Sequence, residues 1–167
     1  MRDGECVFVG LGANLGDAAA SVREAILHLG TLPETKFVAS SSLYRSAPLD
    51  AVGPDFINAV VELRTRLTPQ ALLAQLMSVE HRFGRQRPFH HAPRSLDLDL
   101  LLFGERRIES SELCLPHPRL HERAFVLAPL AELAPALVCP GGCSVEQTLA
   151  SLTDQRIARV SGIDVDR

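Results

Sequence analysis

The run Pro93-Arg94-Ser95-Leu96-Asp97-Leu98-Asp99-Leu100-Leu101-Leu102-Phe103-Gly104 constrains this chain more than any other segment. Leu96, Leu98 and Leu100 alternate with Asp97 and Asp99, and successive strand side chains point to opposite faces. The spacing predicts a strand over Ser95–Phe103. Its leucines lie on one face, and its two carboxylates sit roughly 6–7 Å apart on the other. Carboxylates set in apolar sequence are costly unless something positive satisfies them. Mg²⁺, which takes hard oxygen ligands and keeps water and phosphate in its shell, is one candidate partner. Arg82, Arg85, Arg87 and Arg94 precede the pair in a short window, and guanidinium forks match phosphate oxygens. Salt-bridged aspartates on a solvated sheet face are the alternative. Phosphate-binding cations beside metal-binding carboxylates are the parts of phosphoryl transfer, which favours the functional reading.

The remaining periodicities place this strand in a fold. Cys6–Leu11 reads as a first buried strand, and Gly10, Gly12 and Gly16 as a flexible turn. Val22, Ala25, Ile26 and Leu29 form one stripe of a helix over Asp17–Leu29, stopped by Gly30. Phe37–Arg45 is expected as a serine-rich, half-exposed strand, and 46–54 as a loop. Phe56–Leu63 is a third strand. Thr68-Pro69 opens a second helix, with Thr as N-cap and Pro at the first helical position. Gly104 is expected to turn the carboxylate strand into a short return strand at Arg107-Ile108. The order strand, helix, strand, strand, helix, strand is the split βαβ pattern. It predicts an α+β, ferredoxin-like sandwich: a mainly antiparallel sheet with helices packed on it. Segments 118–133 and 144–152 read as partly helical, and the tail after about 152 as frayed. Nothing divides the 167 residues, so a single domain, 1–167, is expected.

Hydrophobic residues make up 46% and charged residues 22% of the chain, and its net charge is −3. The chain is neither disordered nor polybasic, so anion binding requires a local arginine cluster. Apolar runs fall short of a membrane span, and the polar start shows no signal peptide. A cytoplasmic protein, a monomer with no nucleic-acid or membrane partner, is expected. Cys6, Cys114, Cys139 and Cys143 read as reduced thiols; Cys139-Pro-Gly-Gly-Cys143 lacks the second pair of a zinc knuckle.

Other segments carry weaker signals. Gly10-Leu-Gly-Ala-Asn-Leu-Gly16 misplaces the third glycine of a dinucleotide fingerprint and reads as a tight turn near the site. In Pro116-His-Pro-Arg-Leu-His-Glu-Arg123 the prolines keep His117 out of a helix, where it could donate to a phosphate. Phe56 and Phe125 read as core on sequence alone, and a buried Asn58 needs partners. A metal-dependent phosphohydrolase and a non-catalytic ligand-sensing domain remain open at this point.

Several ordered motifs together resemble the 6-hydroxymethyl-7,8-dihydropterin pyrophosphokinase family of folate biosynthesis. They are Gly10–Asp17, Ser42–Leu49, Asp55–Ala59, Glu80–Arg85, Pro93–Asp99, Pro116–Arg123 and Ala128–Pro135. The likeness runs from about Val7 to Leu149. It implies transfer of pyrophosphate from ATP, the co-substrate, to the pterin hydroxymethyl group, with release of AMP. It also implies two Mg²⁺ ions on Asp97 and Asp99, and Phe56 and Phe125 stacked on the pterin. Asn58 would bond the pterin edge, and Ser46 and Leu49 would complete the pocket. Arg85, Arg94, His117 and Arg123 would contact ATP or the moving phosphates, Arg85 and Arg94 as catalytic residues, with Glu80 and Arg87 nearby. Departures from the family pattern fall at His90-His91-Ala92, where an arginine and a tryptophan are usual, at Phe56 for tyrosine, and at Glu112 and Pro118.

Overall fold

The structure, a computed structural model, describes residues 4–47, 53–84 and 96–160. Its elements are β1 (Glu5–Ala13), α1 (Ala18–Leu29), β2 (Thr35–Ser40), β3 (Tyr44–Ser46), β4 (Phe56–Thr65), α2 (Pro69–Gly84) and β5 (Asp97–Phe103). They continue with β6 (Ile108–Glu109), β7 (Cys114–Leu115), a 3-10 turn at Leu120–Glu122, α3 (Ala124–Leu133), α4 (Val145–Ser151) and β8 (Ile157–Arg159). The main sheet runs β5-β1-β4-β3-β8, with β2 also paired to β4. Every ladder in it is antiparallel. With α1 and α2 packed on one face, this is the expected ferredoxin-like sandwich.

Alternation along the strands separates two cores. Val7, Val9, Leu11 and Ala13 of β1 join Leu96, Leu98 and Leu100 beneath α1 and α2. Phe8, Leu101 and Leu102 face the other way, against Val126, Leu127 and Leu130 of α3 and Val145 of α4. A bulge interrupts β5. Phe8 lies opposite Leu102 and Val9 opposite Leu100, so Leu101 has no partner across the ladder. Both Leu101 and Leu102 therefore pack in the second core, and Phe103 returns to the first.

The helix starts follow the sequence. Asp17 caps α1 by accepting from the Ala20 N–H (3.1 Å). Thr68 caps α2 through Oγ1 (Ala71 N–H, 3.1 Å) and its carbonyl (Leu72 N–H, 2.9 Å). Pro69 occupies the first helical position, where its missing N–H costs nothing.

Four expectations are corrected. Gly10 and Gly12 sit inside β1, and the turn is made by Gly16 at φ 57°. The predicted Phe37–Arg45 strand is two strands, β2 and β3, broken where Ser41 accepts the Val60 N–H on its Oγ (2.9 Å). The return strand after Gly104 pairs with β7, in a separate ladder. The segment beyond residue 152 does not fray at that point, because β8 pairs with β3 as the outer strand of the sheet.

Candidate active site

Asp97 and Asp99 project from β5 onto the sheet face that carries α3, and both line a cavity of about 400 Å³. The register explains why there is room. Asp99 lies opposite Gly10 and Asp97 opposite Gly12, and on the far side Gly12 lies opposite Asn58. Two glycines between the carboxylates and the amide leave a strip of bare backbone as the cavity floor. Glycine inside a strand marks a close approach of this kind, a signal that the spacing of Gly10 and Gly12 shares with a turn.

One end of the cavity is an amide slot. Asn58 is buried, and its Nδ2 donates to Ser46 Oγ at 2.7 Å. A Cβ placed on Gly12 would lie 3.2 Å from Asn58 Oδ1. The amide oxygen therefore faces the glycine strip as an acceptor. Phe56 and Phe125 line the same cavity from β4 and α3, and their flat faces suit a planar ring.

The other end carries charge. Arg123 lines the cavity with its guanidinium 5.5 Å from the Phe125 ring centre. Arg119 and Glu122, which the sequence reading missed, also line it and pair at 3.4 Å. They belong to the same proline-bounded segment as His117, so their place was available from its neighbourhood. His117 lines a second cavity that includes Arg107 and Cys114. Its N–H donates to the Leu101 carbonyl (2.9 Å), and its Nδ1 accepts the Arg119 N–H (3.1 Å). Burial pushes the His117 pKa below the usual imidazole range; Arg123 and Arg119 push the same way and Asp99 opposes them. The ring is thus a neutral donor through Nε2–H.

Glu80 does not line either cavity. Its Oε2 accepts the Leu98 N–H at 2.7 Å, tying α2 to β5 midway between the two aspartates. Arg85, Arg87, Arg94, Leu49, His90 and His91 lie outside the described residues.

The carboxylate pair suits a hard cation in donor type and placement. Among the described residues no cluster of three or more His, Cys, Asp or Glu side chains can hold a metal. A site with two protein carboxylates fits Mg²⁺, which fills its shell with water and phosphate oxygens.

A family model for 7,8-dihydro-6-hydroxymethylpterin-pyrophosphokinase matches residues 8–135. The chain belongs to this pyrophosphokinase family. Among its relatives is the 2-amino-4-hydroxy-6-hydroxymethyldihydropteridine pyrophosphokinase of Methylorubrum extorquens. That protein is 43% identical over 154 residues, 92% of this chain and 97% of its own length. The Pseudomonas aeruginosa pyrophosphokinase of the same name is 43% identical over 157 residues, covering 93% and 97%. A solved HPPK-DHPS chain in complex with substrates superposes with a TM-score of 0.73 at 14% identity, over 90% of this chain and 44% of that one. At that identity the likeness carries the pyrophosphokinase fold, and this chain spans under half of that protein's length. Among the described residues no helix is long and apolar enough to cross a membrane.

Proposed function

We infer that this chain transfers pyrophosphate from ATP to the hydroxymethyl group of 6-hydroxymethyl-7,8-dihydropterin, giving AMP and the pterin diphosphate in folate biosynthesis. One observation carries the reading: a carboxylate pair and an amide slot share a single glycine-floored cavity, in a chain of this family.

Each residue then has a task. Asn58 Oδ1 accepts from the pterin edge, its orientation fixed by the Nδ2 bond to Ser46. Phe56 and Phe125 flank the ring, and Leu49 completes the pocket. This orients the hydroxymethyl oxygen for in-line attack at the β-phosphorus. His117 donates Nε2–H to a phosphate oxygen without adding charge. Arg123 offers its fork to the polyphosphate and is braced by its contact with Phe125. Arg85 and Arg94 offset charge developing on the transferred group, with Arg87 close by. Asp97 and Asp99 would hold Mg²⁺, in the two-ion complement usual for such transfer, which supplies Lewis-acid stabilisation of the phosphate charge. Loose phosphoryl-transfer transition states need little base assistance, so no base is assigned. The reading takes the chain as a single catalytic domain acting as a monomer in the cytoplasm.

The test is incubation with Mg²⁺, ATP and 6-hydroxymethyl-7,8-dihydropterin, with nucleotides resolved by chromatography. AMP that appears only with the pterin is expected. Nucleotide hydrolysis indifferent to the pterin would favour a phosphohydrolase, and no turnover would favour a sensing domain.

A further inference from the structure

Cys139-Pro140-Gly141-Gly142-Cys143 takes no part in that cavity, yet its fold is specific. Cys139 donates its N–H to the Cys143 carbonyl at 2.7 Å, and Gly142 donates to the Cys139 carbonyl at 3.0 Å. Val138 and Ser144 form an antiparallel bridge just outside. The segment is a tight hairpin with the two cysteines directly opposite each other. The two cysteines share one of the two bonds of a regular pair, the Cys139 carbonyl being taken by Gly142; opposed residues of an antiparallel pair have Cα atoms about 4.5–5.5 Å apart, with side chains on one face. Disulfides span about 4.4–6.8 Å between Cα atoms. Gly141 and Gly142 adopt φ of 105° and 97°, and a Cβ on either would meet nothing within 4 Å. The loop is therefore free to make the small adjustment that closure needs.

We propose that Cys139 and Cys143 are a dithiol site that closes to an intramolecular disulfide on exchange with a small-molecule disulfide. Both thiols are free, Cys143 exposed and Cys139 buried. The Cys143 thiolate attacks one sulfur of the oxidant, forming a mixed disulfide and releasing one thiolate. The Cys139 thiolate then attacks the Cys143 sulfur and releases the second. Two electrons pass from the pair to the oxidant, which leaves as two thiols, each carrying one of the pair's protons. The access difference sets the order: Cys143 meets the oxidant, and Cys139, against the second core, resolves it. Cys6 is held away from this chemistry, since its thiol donates to Glu62 Oε2 (3.3 Å) on β4. Cys114 lies in the β6–β7 ladder and borders the same cavity as Pro140, so it is the competing partner.

The test equilibrates the whole chain in glutathione buffers of rising oxidised fraction, quenches with iodoacetamide in denaturant so that every reduced thiol reacts, and reads intact mass and unreduced peptide maps. Two alkylatable thiols are expected to vanish together, with a Cys139–Cys143 cross-link that dithiothreitol reverses. Cys139→Ser should stop at a glutathione adduct on Cys143, and Cys143→Ser should leave Cys139 reduced. Because the link is read in the wild-type chain, a variant that folds poorly does not spare the proposal. A wild-type chain that halts at the mixed adduct, joins Cys143 to Cys114, or keeps all four cysteines alkylatable in the most oxidising buffer overturns it.

Discussion

Replacing Gly12 by alanine tests whether the bare strip between the aspartates and Asn58 is the slot for the pterin. Gly12 has no positive φ, so alanine costs nothing in backbone strain. The cost is contact: the new Cβ would sit 3.2 Å from Asn58 Oδ1 and 3.9 Å from Phe56 Cδ1. The first distance is tight, and Asn58 cannot withdraw freely because Nδ2 is held by Ser46 Oγ at 2.7 Å. Relief means stretching that bond, worth about 0.5–1.5 kcal/mol, or accepting overpacking worth about 1–3 kcal/mol. Taking roughly 1.5–3 kcal/mol against pterin binding, at 1.4 kcal/mol per tenfold, the pterin KM should rise on the order of tenfold to a hundredfold. The KM for ATP should stay within about twofold, since the clash lies at the amide end of the cavity. Ser46→Ala added to Gly12→Ala should cost less than the sum of the two, because Asn58 is then free to move. A folded Gly12→Ala chain, judged by circular dichroism, with an unchanged pterin KM would refute the slot.

Asp97→Ala should cut pterin-dependent AMP formation by several orders of magnitude with the fold intact; near-normal turnover in a folded variant rules out its metal role. Glu80→Ala removes the acceptor of the Leu98 N–H and should lower stability by about 1–3 kcal/mol in urea melts; an unchanged midpoint contradicts that anchoring. Cys6 should resist alkylation at pH 8. Burial, followed by the hydrogen bond and the charge of Glu62, pushes its thiol up to about 11, which cuts its thiolate fraction about a hundredfold. A mass-spectrometric time course in which Cys6 reacts as fast as Cys143 would contradict it.

The parts of the site that a local pattern encodes were legible. Leucine–aspartate alternation placed both carboxylates on one strand face, and Thr68-Pro69 marked the start of α2. Non-local pairing was not legible. Nothing between Phe37 and Arg45 shows that Ser41 would trade strand geometry for a bond to Val60. Nor do Ile108 and Glu109 reveal that they pair with Cys114 and Leu115 rather than with β5. Ile157–Arg159 is short and unpatterned, and only β3 makes it a strand. Gly10 and Gly12 misled because glycine spacing alone does not distinguish a turn from a strand whose side chains must be absent.

The unpartnered Leu101 makes β5 tolerant of a change of length at one point. Before it, odd-numbered residues face the cavity; after it, Leu102 shares that face and Phe103 takes the opposite one. Dropping Leu101 would close the bulge into a regular ladder: Leu100 stays opposite Val9, Leu102 opposite Phe8 and Phe103 opposite Val7. Phe103 then keeps its place under α1 and α2, and only the second core loses a side chain. Segments exchanged between relatives with and without the extra residue can therefore cross over at Leu101 without inverting the faces of the strand.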